Sequence, residues 1–334
     1  MIDTACPFPF AVSPHVHRAR QRLAVWTRDH GLIRSPQARE RFERADFAWF
    51  AGLVHPTAHA EALDLMAEWF AWLFLVDDQL DDGPLGRSPE RMTQAVALMR
   101  DILDDGTALS ATGDALASPV ASALADLWHR TAGRMSAAWR RRFVHHLEQC
   151  LTTATVWEAQ NRVSGAVPSE ETYIANRRHT GAIYVCMDLV EFVAGVEVPA
   201  ECHRSPAFRT ALDAACDVVC WVNDVYSYAK ERALGEVHNL VHVVGHHRSW
   251  DEHRARKEVC AAVSARTDAF LTAEEALRRN HPGGAPWMEP CLAGMRSWMR
   301  GNLDWSRRTE RYTSGIRESG ASAHVEPALM EAGR

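Results

Sequence analysis

The chain has 334 residues, 47% of them hydrophobic and 24% charged, with 37 basic against 43 acidic side chains and a formal net charge of −6. That composition excludes a chain disordered over its bulk, and the mildly acidic balance disfavours nucleic acid, which requires a dense positive footprint. Of the basic residues only Lys230 and Lys257 are lysine, and the rest are arginine.

The opening MIDTACPFPFAVSPH lacks the basic and apolar stretches of a secretory signal. The longest apolar run, residues 69–76, falls far short of the ~20 residues that span a bilayer. Eight scattered cysteines form no CxxC pair, which points to reduced thiols in a cytoplasmic protein and away from a zinc ribbon or disulfide scaffold. Helical periodicity begins at 61–76, where Leu63, Met66, Phe70, Leu73 and Phe74 recur at three or four, and resumes at 139–157, 218–233 and 288–311. The breaks (Gly83-Pro84, 105–119, 165–169 and 281–286) are short and polar, and none reads as an interdomain linker. Strand signals are nearly absent and no long-period repeat exists. The expected architecture is one all-α domain over 1–312, followed by a poorly ordered tail at 313–334.

Two clusters carry chemistry. DDQLDD at 77–82 sets four carboxylates at the end of the apolar helix, where mutual repulsion and the macrodipole both oppose them. A hard divalent cation with oxygen ligands removes that conflict. On helical geometry Asp77 shares a face with Asp81, and Asp78 with Asp82; the competing reading is a solvated acidic turn. In the second cluster, Asn223, Ser227 and Glu231 recur at i, i+4 and i+8, so an amide oxygen, a hydroxyl and a carboxylate line one helical stripe suited to magnesium. Lys230 beside them suits an anionic substrate, although a polar i, i+4 surface network would use the same residues. His238, His242 and His246 are also spaced i, i+4 and i+8, which would suit zinc, but no HExxH accompanies them.

Together DDQLDD and NDVYSYAKE at 223–231 resemble the aspartate-rich and NSE-type motifs of bacterial class I terpene synthases. RRHTG at 177–181 is similar to the stretch carrying that family's diphosphate-sensing arginine, and WSRRTERY at 305–312 to its W…RY ending. CPFPFAVSPHV resembles the family's strand-like N-terminal segment, so the likeness runs from about residue 7 to 312.

The resemblance implies a helical bundle around a central active-site cavity and a Mg²⁺-dependent enzyme ionising a prenyl diphosphate. It implies three Mg²⁺ ions, with Mn²⁺ as an alternative, held by Asp77 on one wall and Asn223, Ser227 and Glu231 on the other. Asp81 and Asp82 are further contributors, and Asp78 is expected to pair with a basic residue. The match places the sensor at Arg178, with Gly181 and Ala182 as linker and effector positions; Lys230, Arg311 and Tyr312 would grip the diphosphate. Carbocation chemistry calls for aromatic, non-nucleophilic walls, for which Phe50, Phe70, Phe74, Met187 and Trp305 are candidates, plain core packing being the alternative for each. Farnesyl diphosphate is the expected substrate, with geranyl diphosphate as runner-up, and the expected oligomeric state is a monomer or homodimer without membrane insertion. A prenyl diphosphate synthase would need a second aspartate-rich motif, and Asn223 and Ser227 stand where its acids would be. A non-enzymatic helical binding module is the remaining alternative.

Overall fold

The computed structural model describes residues 6–81, 89–104 and 118–312, so Asp82 and the tail at 313–334 lie outside the described residues. Among these residues there is no strand. The helices are α1 Val16–Asp29, α2 Pro36–Ala45, α3 Phe47–Val54, α4 Ala60–Asp81, α5 Pro89–Asp104, α6 Pro119–Ala132 and α7 Ala137–Thr152. They continue with α8 Ala159–Ser164, α9 Glu170–Thr180, α10 Ile183–Ala194, α11 Ala200–His203, α12 Pro206–Ala233, α13 Leu240–Arg248, α14 Glu252–Asn280 and α15 Met288–Arg308. A π-helical turn, Thr153–Glu158, joins α7 to α8, so the periodicity over 139–157 is not one unbroken helix.

Local chemistry sets several starts. Ser35, Ser118 and Ser205 each precede a proline, and each hydroxyl accepts from the backbone N–H three residues on. Proline at the first helical position has no N–H to leave unsatisfied, so Ser-Pro is a start signal at α2, α6 and α12. The expected strand-like opening pairs with no strand. It runs as irregular chain tied down by Ser13 N–H to Gly52 O (2.9 Å), by Arg300 donating to Phe8 O (2.8 Å), and by Phe8 packed edge-on against Phe270.

The core is one continuous apolar cluster. Trp69 and Trp72 of α4 are fully buried, and their indole N–H groups donate to Thr131 Oγ1 (2.9 Å) and Val120 O (3.0 Å) on α6. Burying Trp is inexpensive only when that N–H finds a partner. On the other side α15 lies so close to α3 that a Cβ on Gly301 would sit 2.7 Å from the Leu53 carbonyl carbon. The long α12 packs against α14 and α15. No helix among the described residues is long and apolar enough to cross a membrane.

Candidate active site

A cavity of about 460 Å³ opens inside the bundle, walled by α3, α4, α7, α9, α10, α12 and α15. Its mouth is polar. Asn223, Ser227, Lys230 and Glu231 line it from α12, and Asp77 and Asp78 from the end of α4. The predicted α12 stripe therefore does face a common space.

Asp224, between the stripe residues, is fully buried and faces the neighbouring helices. It accepts from Tyr173 Oη (2.7 Å), Arg177 Nε (3.0 Å) and the Leu240 N–H (3.1 Å). The Asn223 side chain is held at both ends, its Oδ1 accepting from Arg177 Nη2 (2.9 Å) and its Nδ2 donating to Tyr312 Oη (2.6 Å). Asn239 Nδ2 donates to Glu231 Oε2 (2.8 Å) and to the Asp224 backbone oxygen (2.7 Å). Burial, seconded by the Asp224 charge, pushes the Glu231 carboxyl up to about 7. The Ser227 hydroxyl is buried without a hydrogen-bond partner of normal geometry. A desolvated carboxylate, an unspent hydroxyl and an amide oxygen on one stripe fit a hard divalent cation.

On α4, Asp77 is half exposed, and Asp78 is engaged as expected: Arg311 Nη2 and Nη1 reach its two oxygens at 2.8 and 3.1 Å. Arg311 Nη2 also stands 3.7 Å from Asp77 Oδ2, and its guanidinium lies over the Phe74 ring. Adjacent Arg311 and Tyr312 thus clip the two walls together, one on α4 and the other on α12. The Asp81 side chain lies outside the described residues.

The sensor position requires a correction. Arg178 turns away from the cavity, gripping Asp217 with Nε and Nη2 (2.6 and 2.9 Å) and approaching Asp213 at 3.3 Å. Its neighbour Arg177 lines the cavity. Consecutive helical residues differ by about 100° in direction, so only one of the pair can face inward. The sequence carries the i, i+4, i+8 spacing of Tyr173, Arg177 and Gly181, but only the burial of Tyr173 in the fold shows that this face points inward. Gly181 and Ala182 both line the cavity at the break between α9 and α10, where Ala182 adopts φ 53°, a conformation costly for a residue with a Cβ.

Two apolar candidates are also displaced. Trp305 is fully buried behind Phe50, stacked at 4.5 Å with its indole N–H donating to Ala45 O (2.9 Å). Met187 lies on a separate small cavity with Phe208, Cys291 and Met295. Phe50, Phe70 and Phe74 do line the main cavity, joined by Trp298, which sequence reading missed. The histidine series does not assemble. His238 faces Glu236 (Nδ1 to Oε1, 2.5 Å) and Asn161 (Nε2 to Nδ2, 3.0 Å), whereas His246 is exposed.

Residues 68–269 match a family model described as terpene synthase family 2, C-terminal metal binding. A curated relative in Roseiflexus castenholzii, (+)-T-muurolol synthase, named as cyclising (2E,6E)-farnesyl diphosphate, is 34% identical over 92% of each chain. Pristinol synthase of Streptomyces pristinaespiralis is 33% identical over 92% of this chain and 83% of that one. Among solved structures, linalool/nerolidol synthase from Streptomyces clavuligerus aligns with a TM-score of 0.81 at 29% identity, covering 91% of this chain and 100% of the other.

Proposed function

The chain belongs to the terpene synthase family, and on that premise we propose that it ionises farnesyl diphosphate and cyclises the resulting allylic cation to a sesquiterpene with release of diphosphate. The observation that carries this reading is the stripe of Asn223, Ser227 and Glu231 lining the same cavity mouth as Asp77, above a chamber walled by Phe50, Phe70, Phe74 and Trp298. A prenyl diphosphate needs those two opposite environments in one site.

The matched region is a metal-binding domain. In our reading Asp77, Asn223, Ser227 and Glu231 hold Mg²⁺, three ions in all, with Asp81 and Asp82 as outer contributors. When bound, the ions supply Lewis-acid charge to the leaving diphosphate. Arg177 takes the sensing role and, with Lys230, Arg311 and Tyr312, binds the diphosphate oxygens through donors already in place at the mouth. The aromatic side chains below exclude water and offer negative ring faces to the cation. The catalytic unit spans residues 1–312.

Purified protein incubated separately with geranyl, farnesyl and geranylgeranyl diphosphates, with and without Mg²⁺, tests this by gas chromatography and mass spectrometry. A Mg²⁺-dependent cyclic C15 product from farnesyl diphosphate is expected. Turnover of geranyl diphosphate alone would make it a monoterpene synthase, and diphosphate bound without product would overturn the cyclase reading.

A further inference from the structure

Three cysteine thiols from three different helices meet at the cavity wall: Cys150 on α7, Cys186 on α10 and Cys220 on α12. All three are free and buried, and Cys186 has both of the others as electrostatic neighbours. Their sector adjoins the helix break. The Cys220 thiol donates to the Arg177 carbonyl (3.6 Å), and a Cβ on Gly181 would stand 3.1 Å from Cys220 Sγ. The Cys150 sulfur lies against the Ala182 amide. The aromatic rings come instead from α3, α4 and α15, so the chamber has one sector of rings and another of sulfur.

We infer that Cys150, Cys186 and Cys220 are product-determining residues, forming the soft wall against which the prenyl cation folds. Sulfur is polarizable and fills irregular space, so it accommodates a delocalised cation without imposing a fixed dipole. The thiols must stay protonated for that purpose, since a thiolate would attack the cation. Burial serves this end, pushing the Cys150 and Cys220 thiols up to about 12. Because Cys220 fills the space against Gly181, its volume also fixes how closely α12 approaches the break that follows Arg177.

This inference rests on the proposed cyclase reading. The test is the ratio of major to minor products, per diphosphate released, for Cys150→Ala, Cys186→Ala and Cys220→Ala. The expected change is about tenfold in at least Cys186 and Cys220, the scale on which one missing group in an apolar pocket alters discrimination. Cys291→Ala, which removes a buried thiol from the separate small cavity, should leave the ratio as in the wild type. Cysteine-to-serine variants, nearly isosteric, serve where alanine prevents folding. Unmoved ratios across the three positions, or an equal change from Cys291→Ala, would overturn the inference. A wild-type enzyme that releases no diphosphate from any substrate would instead defeat the cyclase reading.

Discussion

Arg177 donates from Nη2 to the amide oxygen of Asn223 across 2.9 Å, whereas the next residue, Arg178, spends its guanidinium on Asp217. Both arginines partner a buried aspartate, Asp224 for Arg177 and Asp217 for Arg178, so both variants should lose stability and diphosphate release alone separates them. Arg177→Gln should lower diphosphate release by about 10²–10³-fold, as loss of one charge-stabilising donor does. Arg178→Gln should lower the unfolding free energy by about 3 kcal/mol while the folded protein still releases diphosphate, because the buried Asp217 loses a bidentate partner and keeps Arg266 at 2.7 Å. Diphosphate-release kinetics decide the matter, with urea denaturation confirming that both variants are folded, and loss of release from Arg178→Gln but not from Arg177→Gln would return the sensing role to Arg178.

Ser227→Ala deletes a buried hydroxyl that neighbours the Glu231 carboxyl without a hydrogen bond of normal geometry, so folding should be little affected. If that oxygen is a metal ligand, the Mg²⁺ concentration for half-maximal turnover should rise by about tenfold or more. Mn²⁺ titration in the presence of pyrophosphate, followed by electron paramagnetic resonance, gives the same comparison without turnover. Identical metal affinity in the two proteins would remove Ser227 from the site.

His55 lies within the apolar core against Phe70 and Trp298, and burial lowers its imidazole to about 3. It is neutral in the folded chain, while the unfolded side chain gains a proton below about pH 6.5. Its contribution to stability is therefore lost as pH falls from about 6.5 toward 3, at up to about 1.4 kcal/mol per pH unit. Glu68, pushed up to about 7 by burial against the pull of Arg130, acts with the opposite sign over part of that range. Only the difference between wild type and His55→Leu isolates the histidine. The variant should show a shallower loss of stability from pH 6 to 4, and parallel curves would mean that His55 is solvated.

Gly301→Ala would bring a Cβ within 2.7 and 2.8 Å of the Leu53 carbonyl carbon and oxygen. These are backbone atoms and cannot rotate away, so α3 and α15 must separate, at a cost of about 1–3 kcal/mol. Since α3 also presents Phe50 to the cavity, product composition should shift along with the fall in melting temperature. An unchanged melting temperature would show slack between the two helices.

Features set by local spacing were legible in the sequence. The Asn223–Ser227–Glu231 stripe follows from helical periodicity alone, whereas the pairing of Asp78 with a basic residue, met by Arg311, was implied by the family resemblance. Features set by depth were not. Choosing Arg177 over Arg178 required the inward direction of α9, and Trp305 and Met187 were displaced because an apolar residue on a buried helix can face a neighbour as readily as a cavity. The thiol sector depends on three helices meeting, which no single segment encodes.

The near-exclusive use of arginine has a further consequence for solution behaviour. The cations in the pairs that fasten this site, Arg177 with Asp224, Arg178 with Asp217 and Arg311 with Asp78, are all guanidinium groups. A guanidinium keeps its charge beyond the alkalinity at which an ammonium group loses its own. The fastenings of the cavity should therefore hold through mildly alkaline media and come apart from the acid side, as carboxylates take up protons.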